Sequence, residues 1–525
     1  MLDLKIEGAT VVDGTGTPGG RTDVGVRDET IVAVGDLSRE SAGRTVHAAG
    51  RVVAPGFIDM HSHSDWRLWA NRRAESKIRQ GVTTEVVGNC GFSPAPVSDE
   101  HLDDLKGFAL YLPRGMDFRW RSVGQYLDAF DADGTAVNVV QLVGHGTLRV
   151  AAMGFARREP TAGELTTMQR ALADAVEAGA WGLSTGLIYA PGSYATTAEI
   201  VALARICARR RRTLYASHIR GEGATLLDAV AEAITVGREA EVSVQVSHIK
   251  AAGRPNWGKV TRALALVDAA AAEGLDVMAD VYPYTASSTS LRSLLPDWAL
   301  EGGISSMVER LGDPAVRERI GKELEQPVTG QSLLDRVGWE NIMISYSPRR
   351  KDVEGKRLSE VGGLTGALDV LAAEPRSAMI LFQLDERDLR EALTHPRVMI
   401  GSDGSSLAPY GELGEGKPHP RSYGTFPRVL GEYVREQRVI PLAQAIHKMT
   451  GLPARRLGLA DRGVIRPGAK ADLVVFEPRR VRDRATYEAP HRYPEAIEHV
   501  VVNGRFVIRD GEHTGSLPGR ILRLP

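Results

Sequence analysis

The feature that most limits the fold is a change of hydrophobic period about fifty residues into the chain. From there, short β-branched runs alternate with helical stretches, the mark of repeated βα units and a parallel sheet. Eight such runs stand out, at 52–60, 83–88, 138–144, 181–184, 213–217, 242–247, 276–281 and 397–402. The helices between them are signalled at both ends. Thr161-Ala-Gly-Glu164 fits a capping box ahead of a helix over 165–178, and Gly179 stands where a C-terminal glycine belongs. Eight units predict a closed α/β barrel of the TIM type, (β/α)8. An open doubly wound sheet would alternate in the same way, but a glycine-rich nucleotide fingerprint after the first strand is missing.

The flanks read differently. Runs such as Thr10-Val-Val-Asp13 and Thr30-Ile-Val-Ala-Val34, punctuated by Gly and Asp, predict antiparallel strands with tight turns, and the same texture returns in Ala471–Phe476 and from His499 to Ile508. Both termini are therefore expected to build one small β-sandwich domain, 1–52 with 460–525, around a barrel over 53–459, since domain insertion is tolerated where termini lie close together. The interval 283–396 is too long for a loop and carries its own strand-like (341–346) and helix-like (364–373) segments. Inserted between strands seven and eight, at the functional end of a barrel, it is expected to act as a lid.

Composition sets outer bounds. A net charge of -1 predicts no nucleic-acid partner, and no stretch approaches the roughly 18 apolar residues of a membrane span. The opening Met1-Leu-Asp-Leu-Lys-Ile-Glu7 has no apolar h-region, and two cysteines, Cys90 and Cys207, suit a reducing compartment, so the cytoplasm is expected. The oligomeric state is left open.

The ends of five of the eight runs carry the chemistry. They are Asp59-Met-His61-Ser-His63, Asn89-Cys90-Gly91, Ser217-His218, Ser247-His248-Ile-Lys250 and Gly401-Ser-Asp403-Gly404. In a barrel these ends meet on one face, so imidazoles, a thiolate and a carboxylate converge on a metal although far apart in sequence. Each has a plainer reading taken singly: His61 and His63 as surface polarity, His218 and His248 as core histidines, Asp403 as a turn cap, Cys90 as a small hydrophobe. Position argues against it, because two Ser-His-Ile-cation motifs recur one strand apart and Cys207, not Cys90, lies in an apolar helical stretch. A carbamylated lysine on strand four, the bridge in many two-metal barrels, is excluded because no lysine occurs between Lys106 and Lys250. Cys90 can stand in for it as a soft ligand that favours zinc.

At these residues the sequence resembles the amidohydrolase superfamily and, within it, the D-aminoacylases (N-acyl-D-amino-acid deacylases). The likeness runs from Pro55-Gly-Phe-Ile-Asp-Met-His-Ser-His63 through Gly88-Asn-Cys-Gly91, Ser217-His-Ile-Arg220, Ser247-His-Ile-Lys250 and Gly401-Ser-Asp-Gly404 to Pro467-Gly-Ala-Lys-Ala-Asp-Leu-Val-Val475. It implies one tightly held Zn2+ on Cys90, His218 and His248, and a second, weaker site on His61, His63, Cys90 and Asp403. It also implies substrate contacts from Tyr189, Lys250, Tyr282, Ser288 and Arg421, with Tyr284 close to Tyr282 in sequence. The stretch from Pro409 to Lys417, ahead of His419-Pro-Arg421, is longer than the family pattern.

The implied reaction is zinc-dependent hydrolysis of an N-acyl-D-amino acid by a metal-activated water, with Asp403 as the catalytic base and Arg421 and Lys250 on the substrate carboxylate. Two other readings stand beside it. One is another amidohydrolase reaction on a cyclic imide, dipeptide or aryl amide, because fold and metal do not set the substrate; the other is a non-catalytic scaffold, which would not need every ligand retained.

Overall fold

The run expected as one strand over 52–60 is two. In the computed structural model, which describes residues 1–325 and 337–525, Val52–Pro55 belongs to a sheet built by the termini and Phe57–Asp59 is the first barrel strand. Gly56 makes the switch. Its N–H donates to the Asp472 carbonyl at 2.8 Å, and a Cβ there would lie 2.2 Å from the Thr83 hydroxyl oxygen. Periodicity gave no sign of the break because both halves are wholly buried and read as one apolar run.

The other barrel strands are Val82–Val87, Asn138–Gln141 continued by Val143–Gly144, Gly182–Gly186, Leu214–His218, Ser243–Val246, Val277–Val281 and Val398–Ile400. Each pairs in parallel with its neighbour in chain order. At the interruption in strand three, the Leu142 N–H still reaches the Val87 carbonyl at 2.9 Å. The ring closes between strands eight and one, just beyond their ends. Ser62 bridges Gly404 in parallel, Asp403 N–H donates to the His61 carbonyl at 2.7 Å, and His63 N–H donates to the Gly404 carbonyl at 2.8 Å. That closure excludes the open sheet. The capping box at Thr161 forms as expected, and its helix, Ala162–Glu177, buries Met168, Leu172, Ala175 and Val176 at helical spacing against the barrel.

The terminal strands form one nine-stranded sheet, joined where Val52–Pro55 runs antiparallel to Leu473–Phe476. It is not antiparallel throughout, as the sequence had suggested. Leu2–Val11 pairs in parallel with Ala42–His47 along its first half and with Val52–Pro55 at its end, because the chain after the hairpin Gly20–Arg27 and Thr30–Gly35 crosses to the far edge instead of reversing in place. This sheet has its own apolar core, including Leu4, Val24, Val26, Ile31, Leu473 and Val501.

Between barrel strands seven and eight lies a three-stranded antiparallel sheet, Ala286–Ser290, Ile342–Tyr346 and Ala378–Phe382, with helices Gly303–Leu311 and Gly363–Ala373 around a separate apolar cluster. Helix Glu386–Thr394, inside the same interval, instead gives Leu389, Ala392 and Leu393 to the barrel core, as the spacing i, i+3, i+4 requires of a barrel helix. Among the described residues, no helix is long and apolar enough to cross a membrane.

Gly56→Ala is expected to cost about 1–3 kcal/mol through overpacking against Thr83, read as a lower denaturant midpoint; an unchanged midpoint would show that the strands can part without cost. Lys448 gives a pH-dependent test. Burial pushes its ammonium down to about 7, where it donates to the carbonyls of His395 and Val398 under strand eight. From about pH 7 to the ordinary lysine range near 10.4, the unfolded chain binds a proton that the folded chain lacks, so stability rises with pH across that window. The stability of Lys448→Met relative to the parent should therefore decline from pH 7 to 10, and a pH-independent difference would remove Lys448 from the balance.

Candidate metal centre

The barrel delivers its polar strand ends to one point. Cys90 Sγ lies 3.2 Å from His61 Nε2 and 3.5 Å from His248 Nε2, and Asp403 Oδ1 lies 3.0 Å from His63 Nε2 and 3.5 Å from His61 Nε2. One donor atom each from His61, Cys90, His248 and Asp403 fall within 4.8 Å of one another. The His218 ring packs edge-on to that of His248 with centroids 4.5 Å apart, and neither of its buried ring nitrogens has a hydrogen-bond partner.

Convergence is bought with backbone strain. Cys90, His248 and Asp403 have φ of 53°, 36° and 50°, a left-handed region that costs a side-chain-bearing residue about 1–2 kcal/mol. Each lies two or three residues beyond the end of a barrel strand, where the left-handed step turns the chain. Beside Cys90 the turn is so tight that a Cβ on Gly88, itself at φ 79°, would sit 2.0 Å from the Leu142 carbonyl oxygen. The Gly-Asn-Cys-Gly motif is thus a steric requirement of presenting the thiol.

Three carboxylates hold the imidazoles and the closure in place, and none was singled out from sequence. Asp280, in strand seven, accepts from His61 Nδ1 at 3.1 Å and from the His248 backbone N–H at 2.8 Å, which leaves the His61 Nε2 lone pair facing Cys90. Glu222 lies 3.2 Å from His248 Nδ1 and 2.5 Å from Lys250 Nζ, and Lys250 Nζ is itself 2.7 Å from that Nδ1. Donation of Nδ1–H to Glu222 is the tautomer that frees Nε2 for a metal; acceptance from Lys250 would place the proton on Nε2. Asp59, wholly buried, binds Lys77 Nζ at 2.5 Å and the Ser402 N–H at 2.8 Å and so ties strand one to strand eight. A charged residue inside an otherwise apolar strand, as in Met278-Ala-Asp280-Val281, was the available signal for Asp280.

The charges favour a thiolate. Burial raises the Cys90 thiol, but the His61 and His248 imidazoles outweigh it and hold the thiol well below its usual range. Burial likewise opposes ionisation of Asp403, yet Arg421, with Nη1 2.7 Å from Oδ2, and His248 hold its carboxyl well below the usual range. A thiolate among imidazoles and a carboxylate is a donor set suited to zinc, and the unpaired nitrogens of His218 and Nδ1 of His63 are buried polar atoms that a metal would satisfy.

The expected substrate contacts surround this cluster. Tyr189 packs 4.9 Å from the His218 ring and its hydroxyl accepts from Thr289 at 3.0 Å. Tyr282 is buried with its hydroxyl unpartnered and opens onto the cavity beside Lys250 and Ser288, whereas Tyr284 packs edge-on to His419 away from it. Arg421 reaches Asp403 and donates to the Ser288 carbonyl at 3.1 Å. The long stretch before it does not displace it, because Lys417 N–H bonds the Ser345 carbonyl and Gly416 accepts from His491, which draws the extra residues aside.

Comparison with known proteins agrees with this geometry. Residues 44–508 match the amidohydrolase family. The chain belongs to that family. An N-acyl-D-glutamate deacylase of Alcaligenes xylosoxydans xylosoxydans is 42% identical over 99% of this chain and 96% of its own, and a D-aminoacylase of the same organism is 39% identical over 99% and 97%. The crystal structure of the N-acyl-D-glutamate deacylase from Bordetella bronchiseptica, complexed with zinc and a phosphonate mimic of the tetrahedral intermediate, is 38% identical with a TM-score of 0.83 over 99% of both chains.

If Asp280 sets the His61 tautomer, Asp280→Asn should weaken zinc binding by about 10- to 100-fold, measured by competition with a chromogenic chelator, while Cys90→Ala should purify with far less zinc by elemental analysis. Full zinc retention in both would remove this cluster as the metal centre.

Proposed function

We propose that this amidohydrolase is a zinc-dependent deacylase that cleaves N-acyl-D-amino acids to a carboxylate and a free D-amino acid. The observation that carries the reading is a cysteine-containing donor cluster with a carboxylate base and two cations, Lys250 and Arg421, placed over the Tyr282 ring at 5.6 and 4.9 Å from its centroid. Cys90, His218 and His248 would hold the tight zinc, and His61 and His63, with Cys90 and Asp403, the weaker one. When bound, the metal supplies Lewis acidity at the scissile carbonyl.

The chain's own residues do the rest. Asp403 removes a proton from the attacking water and returns it to the leaving nitrogen. While Arg421 is paired with it, Asp403 is a weak base. A substrate carboxylate that draws the guanidinium toward itself raises the basicity of Asp403 just when the amide is in place, so binding and proton transfer are linked through one ion pair. Arg421 and Lys250 orient that carboxylate, with the Tyr282 hydroxyl and Ser288 beside it. Handedness follows from this clamp: inverting the stereocentre with carboxylate and amide held exchanges side chain and hydrogen and drives the side chain into the wall.

The termini are read as a β-sandwich domain, 1–52 with 460–525, and the segment within 283–396 as a lid, which its own apolar core and its contribution of Ser288 to the cavity support. The two cysteines, both free, suit the cytoplasm.

Zinc-loaded protein should release methionine from N-acetyl-D-methionine and not from the L enantiomer, and lose this activity on chelation. Asp403→Asn should lower kcat by about 10²- to 10⁴-fold with the tight zinc retained. Turnover of neither enantiomer by zinc-loaded protein would move the assignment to another amide or imide.

A further inference from the structure

A chamber of about 140 Å³ runs outward from His63 and Asp403, and a second hollow of about 200 Å³ lies next to it, farther from the donor cluster. Leu110, Tyr346, Arg376, Glu412 and Glu415 line both spaces, so these side chains stand between them. They come from three segments: the loop after helix Leu102–Phe108, the segment inserted between strands seven and eight, and the stretch 409–417 after strand eight.

That stretch is pinned in three places. The Tyr410 hydroxyl donates to Glu75 Oε1 at 2.9 Å, Leu413 is buried in the apolar core of the barrel, and Lys417 N–H donates to the Ser345 carbonyl at 2.6 Å. Between the pins, the 3-10 turn Gly411–Gly414 and the residue after it carry two acids three positions apart, a spacing at which side chains on such a turn eclipse one another. Unpaired, the two carboxylates would repel and part. Arg114 takes both, its backbone N–H donating to Glu412 Oε2 at 3.0 Å and its Nη2 to Glu415 Oε1 at 2.6 Å. Lys351, from the inserted segment, places Nζ 3.7 Å from the same Glu415 oxygen. Three segments are thereby joined by charge where the chamber meets the hollow. The Arg114 side chain is 72% exposed, so its pairing is screened by water and contributes little to stability. Its effect is on shape, because it fixes two acid side chains within the partition.

An N-acyl amino acid with its amide at Asp403 and its α-carboxylate near Tyr282 has two further arms, its side chain and its acyl group. We propose that one of these arms lies along the chamber and that Glu412 and Glu415, braced by Arg114, form the wall that limits its length. A short arm fits between Asp403 and the wall, whereas a longer one has to push the paired acids aside. The proposal rests on the deacylase reading and adds to it a length limit set by 409–417.

Two homologous series show which arm meets the wall: N-acyl-D-methionines from acetyl to octanoyl, and N-acetyl-D-amino acids with unbranched side chains from alanine to 2-aminooctanoate. With zinc-loaded full-length protein, kcat/KM in one series should break at a definite length, falling about 10-fold or more for the first methylene beyond it. Glu412→Ala combined with Glu415→Ala should move that break to longer chains by joining the chamber to the hollow, and Arg114→Ala should move it in the same direction. Each break is read from ratios within one protein sample, so a partly misfolded variant does not mimic a shift. No break in either series, or a break that the double variant leaves at the same length, overturns the proposal while turnover of N-acetyl-D-methionine keeps the deacylase reading. No turnover of any member of either series overturns both.

Discussion

Everything at the metal centre depends on the seam between barrel strands eight and one. The hydrogen bonds that close the ring run through Asp403 N–H to the His61 carbonyl and His63 N–H to the Gly404 carbonyl, so the backbone of the ligand-bearing segments is itself the last rung of the ladder. Closing the barrel and assembling the site are one event. The buried pair Asp59–Lys77 sits just beneath, bonded to Ser402 from the other side of the same seam. Charges placed there cost free energy to desolvate, and they hold the register of a junction where a shift would separate His61 from Asp403.

The centre is a set of strained and charged residues held by a rigid frame. Three of its side chains leave the barrel from left-handed backbone, and a thiolate, a carboxylate and several imidazoles are crowded within a few ångströms. Such an arrangement persists because the largely buried strands beneath over-determine it. The frame also explains the division of labour above the barrel. The side chains proposed to hold a metal come from strand ends, whose positions the ladder sets closely, whereas Ser288 comes from the segment after strand seven, which has an apolar core of its own. Chemistry and selectivity are thereby free to vary separately on one fold.

Much of this was legible beforehand. The eight β-branched runs, the capping box at Thr161 and the His-x-His, Asn-Cys-Gly and Ser-His-Ile motifs are local patterns, and local patterns survive in sequence. The break at Gly56 was not legible, because a strand buried on both faces looks the same whether it serves one sheet or two. The parallel pairing of Leu2–Val11 was equally hidden, since alternation reports a half-buried strand and not the direction of its neighbour. Asp280 and Glu222 escaped notice for a related reason: a single acid in an apolar strand or loop acquires meaning only from what stands opposite it.

The sequence by itself therefore determined the barrel fold, the candidate donor types and the family, because hydrophobic period and donor chemistry are properties of residues and their spacing. Tertiary structure alone decided that Nε2 of His61 and of His248 face Cys90, that Tyr282 and not Tyr284 opens onto the cavity, and that Arg421 pairs with Asp403. Those are relations between residues far apart along the chain, with Arg421 and Ser288 separated by 133 positions. They come into being only when the barrel closes.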